Sequence, residues 1–199
     1  MKMLSHRRRG KIPTRQSLEN TALSYLSRYA ASEFSLRHVL ENRLRQTALL
    51  NPLFAEDGAL QKQLRMVIDG IVEKHKKTGV LNDAAYAEMK TSSLRRAGRS
   101  ARAIRQRLGQ KGIAPALVTK ALGRGADQGD PAEAEFKAAL ALARRRRLGP
   151  FRKNKAAPEQ ERKDLATLAR AGFSFDIARR VLGETIRDVA GDEMFFDSD

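Results

Sequence analysis

The chain predicts an all-α fold made of repeated helical units, and two observations carry that expectation. Apolar residues recur at spacings of three and four through most of the 199 residues, and no stretch alternates strictly for long enough to mark a strand. One phrase also occurs twice: KGIAPALVTKAL from Lys111 and AGFSFDIARRVL from Ala171. Overlaid, these pair Gly112 with Gly172, Ile113 with Phe173, Leu117 with Ile177, Val118 with Ala178, Lys120 with Arg180, Ala121 with Val181 and Leu122 with Leu182. Leu108 and Leu168 each stand four residues before the glycine, so the likeness reaches back into the preceding helix. Self-similarity of this kind marks repeated structural units.

Residues 1–16, MKMLSHRRRGKIPTRQ, form a basic N-terminal arm. No hydrophobic region follows, so it is not a secretory signal. A nucleic-acid-touching arm and a plain disordered end are the simpler readings, with an organellar transit peptide also open. From Ser17 to Gln46, Leu18, Ala22 and Leu26, then Leu36, Val39, Leu40 and Leu44, give helix periodicity. Pro52 and Gly58 break it, and Leu64, Val67, Ile68 and Ile71 restore it in a third helix. GVLND ends that helix at Gly79 and offers Asn82 or Asp83 as the cap of the next, from Ala84 to about Ala97.

Gly98 closes this helix, Ser100 caps one running to about Lys111, Gly112 supplies a left-handed turn, and Pro115 suits the first position of another. After the turn-rich GRGADQGDP, Asp130-Pro131-Ala132-Glu133 has the form of a helix start, and the helix runs to about Leu148. GPFRKNKAAPEQ interrupts; a short helix over 163–171 ends at Gly172, and Ser174 caps the last. Ile104, Leu108, Gly112, Leu117 and Leu122, with Leu168, Gly172, Ile177 and Leu182, are the expected structural positions of the repeats. Val118, Ala121, Ala178 and Val181 share the buried face. Replacing Gly112 by Val is expected to damage folding.

The 39 Lys and Arg against 23 Asp and Glu leave a formal net charge of +16, spread along most of the chain, and a pI near 10.8. Such a chain is attracted to polyanions: DNA, RNA, an acidic protein surface or an anionic membrane. No apolar run approaches the roughly 18 residues of a spanning helix, so an integral membrane protein is not expected. Cysteine is absent, which removes disulfides and thiolate metal sites and fits a reducing, cytoplasmic location. His6, His38 and His75 have no metal-ligand spacing, and neither a phosphate loop nor a nucleophile elbow occurs. No catalytic residue, metal or cofactor is expected, and the chain reads as a binding protein.

Two clusters are the candidate contact residues. LRRAGRSARAIRQRLGQK places Arg95, Arg96, Arg99, Arg102, Arg105, Arg107 and Lys111 around a turn and one helix, with Ile104 and Leu108 on the buried side. ARRRRLGPFRKNK adds Arg144, Arg145, Arg146, Arg147, Arg152 and Lys153 at the corresponding place further on. Guanidinium groups fork onto phosphates or carboxylates, so either partner suits them. Arg95, Arg96, Arg99 and Arg102 lie off the apolar stripe, and their loss is expected to leave folding intact. A helix-turn-helix DNA reader is the other outline, but PALVTKAL offers little beyond Thr119 and Lys120 to reach base edges.

With Gly79, Val80, Leu81, Asp83, Tyr86, Ala87, Gly98, Ile104, Leu108, Lys111, Gly112, Ile113, Leu117, Ala121 and Leu122 in view, the middle of the chain resembles the RecX family of RecA regulators. The resemblance covers 79–122 most strongly, and 17–45 and 160–182 more weakly. It implies tandem three-helix repeats in an elongated, curved array. These would be repeat 1 at 17–79 with an insertion near 46–63, repeat 2 at 80–125, repeat 3 at 126–183 with an insertion near 152–160, and an acidic tail at 184–199. It further implies a monomeric, non-enzymatic protein that lies in the groove of a RecA filament on single-stranded DNA. There it would slow ATP hydrolysis and strand exchange and limit filament extension, in homologous recombination, DNA repair and the SOS response. Single-stranded DNA would be met directly or through the filament. The alternative is a general nucleic-acid binder or transcription regulator with no RecA partner. The chain departs from the family pattern where Gly-Pro-x-Arg is usual, having Ser100, Ala101, Arg102 and Ala103, and where a glutamate is usual, having Arg107.

Overall fold

The structure, a computed structural model, describes residues 10–124, 130–152 and 158–192. Among these residues there is no strand, and the chain forms ten α-helices and one 3-10 turn. It divides into two compact lobes, Met1–Tyr86 and Ala87–Asp199.

The first lobe holds α1 (Arg15–Leu26), α2 (Glu33–Leu50), α3 (Pro52–Glu56) and α4 (Gly58–Lys77). Each start is capped by a side-chain oxygen: Thr14 in a reciprocal box with Ser17, then Ser32, Asn51 and Asp57. Leu18 and Ala22 of α1, Leu36, Leu40 and Leu44 of α2, and Leu64, Ile68, Ile71 and Val72 of α4 close one core. The periodicity read from the sequence is the geometry of these buried stripes. The extra stretch near 46–63 contains one full helix, α3, whose Phe54 is 1% exposed inside that core. Asn51 organises the stretch, capping Phe54 N–H at 3.3 Å and donating its amide to Gly10 O at 3.1 Å.

The next helix, α5 (Asp83–Arg96), starts where the sequence places it, with Asn82 Oδ1 accepting from Ala85 N–H at 3.0 Å. Asp83 Oδ1 accepts from Glu33 N–H at 2.9 Å, tying the start of α5 to that of α2. Burial raises the Asp83 pKa; the Glu33 N–H and Lys76 act against it and the Glu33 carboxylate adds to it, for a net rise.

In the second lobe α5 continues into α6 (Ala101–Gly109), α7 (Pro115–Arg124), α8 (Pro131–Arg146), a 3-10 turn at Gly149–Phe151, α9 (Pro158–Arg170) and α10 (Phe175–Asp192). The repeated phrase is repeated geometry. Gly112 has φ +72° and Gly172 φ +91°. Ile113 N–H returns to Leu108 O at 3.1 Å, and Phe173 N–H to Leu168 O at 3.2 Å. A left-handed residue followed by this long return bond is a helix stop that glycine makes without a Cβ penalty. Gly98 stops α5 the same way, with φ +69° and Arg99 N–H on Leu94 O at 3.0 Å.

The buried positions of the two phrases are Ile113, Val118 and Ala121, and Phe173, Ala178 and Val181. Leu117, Leu122, Ile177 and Leu182 flank them half-buried. Ala138, Ala139, Leu142, Ala143, Leu148, Leu168 and Phe173 complete the core around α8, α9 and α10. The last interruption is shorter than the sequence suggests, because α9 begins at Pro158 with a polar first turn.

One polar node joins α6, α8 and the α9–α10 turn. The Ser100 hydroxyl, fully buried, accepts from Ala103 N–H at 3.2 Å and donates to Ala171 O at 2.7 Å. Both Glu135 oxygens accept from Ala101 N–H at 3.1 Å. Ser100→Ala removes a cap and a buried bond together, and is expected to cost about 1–2 kcal/mol in urea unfolding of the full chain. An unchanged midpoint would show that the node contributes nothing.

Candidate basic binding surface

The two sequence clusters divide by whether an acid holds them. Arg95, at the end of α5, places Nη1 2.5 Å from Glu135 Oε2 on α8, and their side chains are 14% and 18% exposed. Arg95 also reaches Arg99 O at 3.4 Å. This guanidinium therefore faces its own protein, and the expectation that all four leading arginines are dispensable for folding does not extend to Arg95. The other members, Arg96, Arg99, Arg102, Arg105, Arg107 and Lys111, are exposed. Arg99 and Arg107 line an open cleft of about 240 Å³ with Leu94, Ala103, Gln106 and Gln110. Amide and guanidinium donors converging on one hollow can hold a phosphate or a carboxylate.

The second cluster divides likewise. Arg144, Arg145 and Arg146 form the last turn of α8, where a cation also complements the helix dipole, and all are exposed. Arg144 lies over the Phe151 ring, 5.4 Å from its centroid. Arg147 closes α8 in the left-handed region, φ +54°, with the return bonds that Gly98 makes after α5. Arg152 points inward, with Nη2 2.5 Å and Nε 3.2 Å from the Asp164 carboxylate on α9. Lys153 lies outside the described residues.

The α5–α6 turn seats directly on α8. A Cβ on Gly98 would stand 2.7 Å from Leu142 N and 3.0 Å from Ala138 O, so only a hydrogen there permits the approach. Arg145 and Arg146 follow Leu142 by three and four residues, about one helical turn. Two clusters nearly fifty residues apart in sequence thus border one packing contact.

Sequence reasoning missed the two acids that sort these arginines. Asp164 carried a signal, since it stands one helical turn before Leu168 on the buried side of α9 and is 1% exposed. Burial raises its pKa, but Arg152, the Gly149 N–H at 2.7 Å and the Gln160 amide more than offset this, and the carboxyl is held below its usual value. Glu135 carried none, standing in the alanine-rich first half of α8 two residues after Glu133. Among the described residues no three His, Asp or Glu side chains come together as metal ligands, and no helix is long and apolar enough to cross a membrane.

An array of short helices stopped at left-handed glycines, with exposed arginines about one turn, defines an all-α helical-repeat protein with a basic surface. Residues 82–122 match the family described as RecX, second three-helix domain. The regulatory protein RecX of Myxococcus xanthus (strain DK1622) is 42% identical over 166 residues, 83% of each chain. The regulatory protein RecX of Agrobacterium fabrum (strain C58 / ATCC 33970) is 35% identical over 108 residues, 54% of each. This chain belongs to the RecX family. The fold agrees: a crystal structure of regulatory protein RecX superposes with TM-score 0.58 at 22% identity over 84% of this chain and 70% of that one. The crystal structure of RecX from Lactobacillus salivarius gives 0.56 at 21% over 85% and 95%.

Proposed function

We propose that this protein is a negative regulator of RecA recombinase, a monomer of the cytoplasm that binds the RecA filament on single-stranded DNA. It would inhibit ATP hydrolysis, strand exchange and filament extension without chemistry of its own, in recombination, DNA repair and the SOS response. The observation that carries this is the seating of the Gly98 turn on α8, with the exposed cations of Arg96 to Arg107 and of Arg144 to Arg147 following closely in sequence on its two sides. A nucleoprotein filament presents phosphates and acidic protein together, and exposed forked cations suit both. Family membership supports the partner, and the repeats at 17–79, 80–125 and 126–183 offer successive contacts to successive filament subunits.

The test is RecA's DNA-dependent ATP hydrolysis as the protein is titrated in, at fixed moderate salt and with single-stranded DNA in excess of what it can cover. The expected result is inhibition. Changing Arg99, Arg102, Arg107, Arg145 and Arg146 together to Gln is expected to weaken it by about tenfold or more while helical circular dichroism is kept, since each phosphate contact adds to affinity. Arg95 and Arg152 stay in place because they hold Glu135 and Asp164. A flat titration beside salt-sensitive binding to naked DNA would instead describe a general nucleic-acid binder.

A further inference from the structure

The first lobe carries a second, chemically different surface at the corner between α1 and α2. Tyr25 and Tyr29 bring their rings to 5.4 Å at 44°, one turn apart, with Tyr29 N–H bonded to Tyr25 O at 3.1 Å. Phe34 and His38, on the first turns of α2, stack at 6.0 Å and 14°. Tyr25 packs partly on the core. Tyr29 and Phe34 do not, being 55% and 48% exposed. The corner holding them is firmly built, with Ala31 and Ser32 buried and Ser32 capping α2.

Tyr29 has a cation over it, and the His38 ring that stacks on Phe34 has another at its edge. Arg28 lies over Tyr29, 5.7 Å from its centroid, and is steered there by bonds to Ser24 O at 2.9 Å and Ser24 Oγ at 3.3 Å. Arg45 Nη2 stands 3.5 Å from His38 Nδ1. Arg37, between them in sequence, pairs with Asp69. Flat rings about half exposed, interleaved with guanidinium groups, match the two needs of an unpaired nucleotide: a platform for the base and a donor for the phosphate. An apolar peptide would want the rings without the charges, and a duplex keeps its base faces covered.

We propose that this corner is a base-stacking site for single-stranded nucleic acid, with Tyr29 and Phe34 as the platforms and Arg28 and Arg45 as the phosphate donors. The site goes beyond the filament reading and shares with it only the availability of single strands. It is separate in the sequence from the arginine clusters of the second lobe.

The chain has no tryptophan and three tyrosines, and the third, Tyr86, is buried at 9% exposure. Tyr86 therefore adds a shielded background, and the change in tyrosine emission on adding a strand reports this corner. The experiment titrates it with oligothymidylate and with an abasic strand of the same length and phosphate number, at one salt concentration. Oligothymidylate is expected to quench the emission and to bind about tenfold tighter than the abasic strand. Tyr29→Ala with Phe34→Ala is expected to bring the two affinities within about twofold of each other, leaving the abasic affinity and the helical signal unchanged. Tyr29→Phe keeps a ring and should keep the preference.

Equal affinities in the unaltered protein would overturn the proposal. So would a double variant that still prefers bases, or one that loses inhibition of RecA while its preference stands, which would make the corner a protein contact. A flat RecA titration with the preference intact would remove the filament reading and leave this one.

Discussion

Gly98→Val is expected to abolish cooperative folding of the second lobe, costing about 3 kcal/mol or more. Two effects add. A β-branched residue at φ +69° is strained before it touches anything, and the new Cβ would meet Leu142 N at 2.7 Å, Ala138 O at 3.0 Å and Leu142 Cα at 3.0 Å. All three are backbone atoms of α8, which cannot step aside as a flexible side chain can. Gly109→Ala is the matched control. It is the last residue of α6, with nothing outside its own helix backbone and chain neighbours within 4 Å of the added methyl and no positive φ, so it should leave stability within about 0.5 kcal/mol or raise it slightly. Hydrogen exchange resolved by segment reads the difference: Gly98→Val should deprotect α6, α8 and α9 first. Equal protection in the two variants would refute the close approach.

Asp164→Ala is the other large effect, at about 3 kcal/mol. The carboxylate collects four donors, from Gly149, twice from Arg152, and from Gln160, at 2.7, 3.2, 2.5 and 3.3 Å. With its side chain 2% and that of Arg152 27% exposed, truncation strands a partly covered guanidinium and a backbone N–H. The same pair sets a pH dependence. A carboxyl whose folded pKa lies below its ordinary 3.8 contributes stability that is complete well above that value and is lost as pH falls through the lower folded value. Acid unfolding of the second lobe should therefore steepen below about pH 4, and the Asp164→Asn variant should lack that component. Parallel acid profiles for the two proteins would show that the carboxylate is not the group responsible.

What the sequence revealed and what it withheld follow from the range of each interaction. Stripes such as Leu64, Ile68 and Ile71 are legible because burial on one face imposes the helical period on neighbouring residues. Caps at Ser100 and Asp130 and stops at Gly98, Gly112 and Gly172 are legible because they are made within a few residues. Helix α3 was hidden: five residues carry no period, and only the tertiary core reveals that Phe54 is its reason to exist. Leu117 and Leu122 were grouped with the buried face because they are apolar, whereas the packed positions are the smaller Val118 and Ala121 between them. Among the arginines the failure is one of direction. Arg95 and Arg96 are adjacent and chemically identical, and only the position of Glu135, forty residues on, separates an internal strut from an exposed cation.

The Ser100–Ala171 bond spans 71 residues, and this bears on the order in which the protein can be completed. Chains are made from the N-terminus, and the first lobe finds all its core partners by Leu81. The middle helices do not, because the turn at Gly98 rests on α8 and the start of α6 waits for the carbonyl of Ala171. Until the ribosome has released that carbonyl, the stretch that most resembles the family is a set of short helices without their final support. The stretch from α8 to Ala171 therefore sets the moment at which the middle becomes permanent.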